Sequence, residues 1–164
     1  MKNIRIHLLF MLVIGLFASF ISITHSTEKS IEEKIKWVKL EELAELQTKE
    51  QRPIMIDMYT DWCGYCKLMD RNTFSKEKVV SYINKNFYAV KFNAESTHTH
   101  KFFNQKFAST GKTHTFTRAY LRSGGYPTII YFDSKGNKVG EKAGYKPAKT
   151  LLKELSTILE RTKK

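Results

Sequence analysis

Two cysteines, Cys63 and Cys66, are the whole thiol content of the chain, and both fall within the stretch TDWCGYCKLMD. A pair separated by two residues can be a redox couple, half of a metal site or a structural clip. A clip closing so short a loop removes little entropy from the unfolded chain, so it would be a poor staple. As a redox couple the spacing has a physical logic. At the start of a helix the first thiol lies near free backbone N–H groups. These donors and the helix dipole favour the thiolate, lowering its pKa from about 8.5 to between about 3.5 and 7.5. The second thiol comes nearly one turn later, close enough to attack a mixed disulfide and release the partner. Cys63 is the expected nucleophile and Cys66 the shielded, resolving thiol. Gly64 is expected to keep the loop tight, with Tyr65 beside it.

A strand must deliver this pair. RPIMIDMYT (52–60) opens on Pro53 and is almost wholly apolar, the mark of a strand covered on both faces. Its single acid, Asp57, sits in the middle. An ionisable group in such a neighbourhood is expected to be buried, with a raised pKa. Beneath the second thiol it could accept and return a proton, and a perturbed acid of this kind is a candidate for catalysis.

The other elements follow from periodicity. IKWVKL (35–40) alternates as a half-buried strand does, and EELAELQTKE (41–50) reads as a helix. CKLMDRNTF is helical, and Ser75 is the expected cap of KEKVVSYINKN, with Glu77 in its first turn. FYAVKFN (87–93) is a strand. Segment 94–126 is ambiguous, with a helical pattern at Phe102, Phe103 and Phe107 and an alternating stretch, KTHTFT. PTIIYFD (127–133) and KVGEKAG, joined by SKGN, predict a hairpin. The C-terminal AKTLLKELSTILERTKK is an amphipathic helix with leucines at 151, 152, 155 and 159. The order βα, β, α, β, insert, ββα predicts an α/β layer structure.

With the pair placed between strand and helix, the chain resembles the thioredoxin superfamily over about residues 37 to 161. Trp62 precedes the cysteines as in WCGxC members, and Asp57 stands six residues before Cys63. Lys91, in AVKFN, is placed like the lysine that accompanies that acid. GYPT (125–128) matches the loop whose cis-proline faces the cysteines. Within the superfamily the chain is most similar to exported bacterial thioredoxin-like proteins with a Lys-x-Met-Asp pattern after the pair. The resemblance implies a thioredoxin fold, a central mixed sheet flanked by helices, and thiol–disulfide oxidoreductase activity. It implies a redox-active Cys63–Cys66 disulfide and a catalytic Asp57. It also implies a substrate-binding rim of Trp62, Tyr126 and Pro127, with Lys91 in support.

Three departures stand out. The dipeptide between the cysteines is Gly-Tyr rather than the Gly-Pro of thioredoxin, and it matches that of periplasmic disulfide isomerases. Tyr126 precedes Pro127 where small or branched residues are commoner. Lys91 and Pro127 are 36 positions apart, more than in a minimal thioredoxin, which predicts an insertion within 94–122 before the cis-proline strand. The insertion carries His98, His100 and His114. Together with the cysteines these could complete a metal site, although histidines among threonines are usually exposed polar surface.

Lys2 and Arg5 lead into Leu8–Ile23, LLFMLVIGLFASFISI, and then Thr24-His25-Ser26. This is the layout of a secretory signal over residues 1–26, leaving a domain over 27–164. The apolar run of 16 residues is short for a span of about 20, and an uncleaved N-terminal anchor is the alternative. The expected location is the periplasm or another exported compartment. The chain carries a net charge of +12, and losing Lys2 and Arg5 leaves +10. The lysines are scattered rather than massed, and export makes nucleic acid a poor partner. No nicotinamide or flavin motif is present, so no cofactor is expected. Electrons must then come from a membrane or periplasmic redox protein, and the substrates are protein thiols and disulfides. Contact with a membrane is expected only if the N-terminal segment is kept. Two other readings remain at this level: a metal carrier using Cys63, Cys66 and a histidine, and a non-catalytic interaction module on the same fold.

Overall fold

The computed structural model describes residues 34–111 and 113–163, and the expected signal over 1–26 lies outside them. Five strands form the central mixed sheet, ordered β1-β3-β2-β6-β7. They are β1 (Trp37–Val38), β2 (Ile54–Tyr59), β3 (Tyr88–Asn93), β6 (Thr128–Phe132) and β7 (Lys138–Ala143). β1 and β2 run parallel to β3, whereas β6 is antiparallel to both β2 and β7. Strands β4 (His100–Phe102) and β5 (Gln105–Phe107) form a separate antiparallel hairpin. The helices are α1 (Leu43–Lys49), α2 (Gly64–Met69), α3 (Glu77–Asn86), α4 (Thr115–Tyr120) and α5 (Ala148–Thr162). This is the thioredoxin fold. Among the described residues no helix is long and apolar enough to cross a membrane.

Each face of the sheet buries its own core. The period of two along β2 sends Ile54, Ile56 and Met58 to one side and Met55 to the other. The first set meets Leu43, Val90, Phe92, Phe116, Ile130 and Phe132. Met55 joins Ala89, Ile129 and Tyr131 under α3 and α5, where Val79, Ile83, Leu151, Leu155 and Ile158 pack. Asp57 shares the parity of Met55, so its carboxyl enters this second layer. Lys91 is its register partner on β3 and Ile129 its partner on β6. Burial on both faces explains why β2 and β6 are apolar almost throughout. Truncating Leu151 or Leu155 to alanine in this layer would cost about 2–5 kcal/mol.

Several local expectations change in the structure. The first strand covers only Trp37–Val38, because Leu40–Glu42 already form a 3-10 turn. Ser75 does not cap α3. Its hydroxyl donates back to the Arg71 carbonyl, and Lys76 takes the N-cap position without a side-chain bond. The turn after α2, Asp70–Phe74, is π-helical. The largest reversal lies in segment 94–126. Phe102 and Phe107 sit on β4 and β5, joined through Phe103 at a positive φ of 50°. The helix instead occupies Thr115–Tyr120, beginning inside the stretch that alternates in sequence and running past its end. His114 starts it by accepting from the Phe116 N–H, and the Thr117 hydroxyl bonds the Ala94 carbonyl. The local cap and the tertiary bond to Ala94 together override the weak local preference of threonine for strand.

Candidate active site

Cys63 and Cys66 form a disulfide with an S–S distance of 2.07 Å and a Cα–Cα distance of 5.3 Å. Strand β2 ends at Tyr59, the chain turns through Thr60–Trp62, and Cys63 is the N-cap of α2. Cys63 Sγ accepts a hydrogen bond from the Cys66 backbone N–H at 3.1 Å. In the disulfide state both cysteines are buried, 4% and 3% exposed, so exposure does not rank them. The backbone donor does, because it points at Cys63 Sγ and would stabilise negative charge there once the bond is reduced. A Cβ at Gly64 would meet nothing within 4 Å, so the turn does not require glycine.

On β2, the strand that leads into the pair, Asp57 is buried and its Oδ1 has no hydrogen-bond partner among the described residues. Burial pushes its carboxyl up to about 7, while Lys91 and Lys146 pull it down and Asp70 pushes it up. A carboxyl without donors in an apolar setting favours its neutral form. Lys91 Nζ lies 3.9 Å from Asp57 Oδ2 and bonds Asp70 more closely. The lysine thus divides its charge between a buried and a half-exposed acid, lying against the rings of Trp37 and Tyr59. Lys91 and Asp70, with Trp37 and Phe74, line a cleft of about 290 Å³.

The exposed rim is aromatic. Trp62 is 68% and Tyr65 66% exposed, so Trp62 is not core. Its indole N–H donates to both Glu95 carboxylate oxygens, at 3.1 and 3.0 Å. Its ring meets Tyr126 edge-on at 6.0 Å between centroids. The Tyr126–Pro127 peptide bond is cis, as the resemblance implies, and Pro127 is buried.

Of the three histidines of the insertion, His98 is exposed as expected, whereas His100 is half-buried and His114 is not exposed at all. His114 is fully buried, because packing against Phe92 and two hydrogen bonds satisfy its ring. Its Nδ1 accepts from Phe116, so Nε2 carries the proton bonded to the His98 carbonyl at 2.9 Å. Both ring nitrogens of His100 are engaged, by Glu41 and Ser96. Among the described residues no three such side chains are grouped to hold a metal ion.

Four residues at or near the site escaped the sequence reading. Asp70 is visible only as part of the Lys-x-Met-Asp pattern. Glu95 and Glu141 look like surface acids. Lys146 sits in a loop where a lysine normally reads as exposed, yet it is 5% exposed. Its ammonium donates to the carbonyls of Lys142, Ala143 and Gly144 at 2.9, 3.3 and 2.9 Å. Burial lowers its pKa, with Glu154 and Asp57 opposing.

Residues 40–159 match the model of the thioredoxin-like domain family. The thiol:disulfide interchange protein DsbD of Yersinia enterocolitica is 28% identical over 117 residues, 70% of this chain and 18% of that protein. DsbD of Cronobacter sakazakii is 31% identical over 99 residues, 59% of this chain and 15% of that protein. The chain therefore spans less than a fifth of the length of these relatives. Among solved structures, a thioredoxin from Thermus thermophilus superposes with a TM-score of 0.61 at 22% identity, covering 79% of this chain and 90% of that one. DsbH oxidoreductase also gives 0.61, at 15% identity, covering 84% and 93%. The oxidised C-terminal domain of Neisseria meningitidis DsbD gives 0.52 at 17%, covering 70% and 88%. At these identities the structural likenesses speak for the fold. The family match covers most of the chain and includes the paired cysteines, and the protein belongs to the thioredoxin-like domain family.

Proposed function

We propose that the protein is an exported thiol–disulfide oxidoreductase that reduces or isomerises protein disulfides. The observation that carries this reading is the Cys63–Cys66 disulfide at the head of α2, with a backbone N–H on Cys63 Sγ and a buried acid on the strand that leads into it. The names of the DsbD relatives support it. In the reduced protein the Cys63 thiolate attacks a substrate disulfide, forming a mixed disulfide and releasing one substrate thiolate. The Cys66 thiol passes its proton to Asp57, which must be ionised at that moment, and attacks Cys63 Sγ. The second substrate thiol then leaves, and the two electrons lost by the cysteines have reduced one substrate disulfide. Lys91 favours the ionised form of Asp57, while Trp62, Tyr126 and Pro127 receive the substrate segment. A second redox protein, at the membrane or in the same compartment, must return the electrons.

Residues 1–26 are read as the export signal, with the mature chain starting near Thr27; retention of the segment would make it a membrane anchor. N-terminal sequencing of protein from the native envelope checks this, and intact Met1 in soluble cytoplasm would refute it.

The dipeptide between the cysteines carries no cationic side chain to stabilise the reduced thiolate further. We therefore expect a reduction potential nearer thioredoxin's, about −270 mV, than the roughly −120 mV of a strong oxidant. Equilibration with glutathione buffers measures it, and a value above about −170 mV would make the protein an oxidase. In an insulin-reduction assay the wild type should be active. Cys66→Ser should accumulate mixed disulfides with client proteins and Cys63→Ser should form none; equal trapping by both would reverse the roles.

A further inference from the structure

The segment that carries Tyr126 and Pro127 into the site is fastened by an acid on the far side of the hairpin. Glu141 lies on β7, opposite Ile130 of β6. Its Oε1 accepts from the backbone N–H groups of Arg122 at 3.0 Å and Ser123 at 2.6 Å. Its Oε2 accepts from Arg122 N–H at 3.2 Å and from Lys138 Nζ. Lys138 Nζ also donates to the Tyr120 carbonyl at 2.6 Å, at the end of α4. Two side chains of β7 therefore tie down the place where the insertion passes into the cis-proline loop.

The two residues after Ser123 make the fastening matter. Gly124, at a φ of +71°, and Gly125 have open space where a Cβ would stand. With no side chains, these two residues offer no packing to hold the loop, and glycine retains the most backbone freedom to be lost. At the far end the Thr128 hydroxyl donates to the Gly125 carbonyl at 2.7 Å and lies 3.1 Å from the Ser123 hydroxyl. The strap 122–126 is thus pinned by Glu141 at Arg122 and Ser123 and by Thr128 at Gly125.

We propose that Glu141 is a positioning residue for substrate: it fixes the loop 122–126 beside the disulfide and thereby sets how a substrate segment lies against Tyr126 and Pro127. The proposal rests on the exchange reading above and deepens it, by naming what determines substrate affinity at that site. The chemistry requires an anion. A carboxylate offers acceptors to all three donors, and bonds to a charged acceptor are the stronger kind. Glutamine could serve the loop with one oxygen, but its amide would then present N–H groups to the Lys138 ammonium. Burial works against ionisation of Glu141, but bonds from Lys138, Ser123 and Arg122 outweigh it and hold the carboxyl at about 2. The clip is therefore closed throughout the neutral range.

The test uses the full chain with Glu141→Ala and Glu141→Gln. Amide hydrogen exchange reads the fastening, and insulin reduction with equilibration against glutathione reads its consequence. Exchange at Arg122 and Ser123 should quicken by at least about tenfold in Glu141→Ala, the loss of roughly one strong hydrogen bond to a charged group. The KM for insulin should rise about tenfold while kcat and the Cys63–Cys66 potential stay near wild type, the signature of lost substrate binding rather than lost chemistry. Glu141→Gln should fall between, and it supplies the answer if the alanine variant does not fold. An unchanged KM, unchanged exchange at 122–123, or a fall in kcat without a rise in KM overturns the proposal. A wild type that neither reduces insulin nor equilibrates with glutathione overturns the exchange reading and the substrate role of the loop with it. The hydrogen-exchange arm still reports on the clip by itself.

Discussion

Asp57 and Glu141 are two carboxylates on one sheet, on either side of β6, and their surroundings treat them in opposite ways. Asp57 lies on β2 with an oxygen that lacks a donor among the described residues, and burial raises it to about 7. Glu141 is also largely shielded, but three donors converge on it and its pKa falls to about 2. Desolvation dominates at the fully buried Asp57, whereas hydrogen bonds from the converging donors dominate at Glu141. A group left without donors can take up and release a proton near neutrality. A group saturated with them cannot, and serves as a fixed anchor. The first setting suits the chemistry proposed for the cysteines, the second the fastening proposed for the loop 122–126.

The comparison can be broken most forcefully at Asp57. Asp57→Asn should slow disulfide exchange by on the order of a hundredfold, as loss of a proton-transfer group does. It should also change how stability depends on pH. Asp57 is raised from its unfolded value, so its stabilising effect is full below about pH 3.8 and is lost as the pH climbs through about 7. Above that pH the wild type should be less stable than Asp57→Asn by up to about 4 kcal/mol, three pKa units at 1.36 kcal/mol each. Below pH 5 the gap should narrow. Urea unfolding at several pH values measures it, and a gap that widens toward acid would contradict the buried neutral acid.

Glu141 should give the opposite slope. Its lowered pKa means that its contribution is complete above pH 4.5 and fades as the pH falls toward 2. Unfolding of Glu141→Gln at pH 7 should show a loss of about 1–2 kcal/mol, shrinking in acid. A loss that is the same at pH 7 and pH 2.5 would mean that the charge of Glu141 is not what matters.

Smaller effects sharpen the contrast. Lys91 is the leading influence that lowers Asp57. Lys91→Met should therefore move the Asp57 titration upward from about 7 by roughly one unit, with the acid limb of the exchange pH profile moving likewise. NMR titration of the carboxyl carbon would detect it, and an unmoved Asp57 would assign Lys91 to Asp70 alone. Gly64→Ala should mark the floor. With open space for the new methyl, stability should change by no more than about 0.5 kcal/mol, and thermal melts suffice to check it.

Much of this was legible in the residues because the signals were local. Asp57 inside an apolar strand, Cys63 and Cys66 after it, and the leucines of α5 each announce their place through periodicity or spacing. The hairpin β6–β7 follows from its turn residues. Segment 94–126 was not legible. Phe102, Phe103 and Phe107 satisfy a helical period by accident, and their rings are used instead by Phe92, Phe116 and Phe132 across the core. Lys146 and Glu141 could not be recognised either, since nothing in their neighbours along the chain distinguishes them from surface charges.

The order of residues along the chain dictates the alternation of strands and helices, the redox couple and the acid that lies near it. These depend on residues within one turn or one strand of each other, and on side chains whose polarity admits a single kind of environment. Folding decides which charges meet. It sets the 3.9 Å between Lys91 and Asp57, the three carbonyls around Lys146 and the grip of Glu141 on Arg122 and Ser123. The partners are 34 positions apart in the first case and 18 or 19 in the last, and their encounter follows from how strands pair rather than from any pattern in the chain. A carboxylate's pKa depends on what surrounds it within a few ångströms. The same chemical group is therefore raised toward neutrality on one strand and held ionised on another.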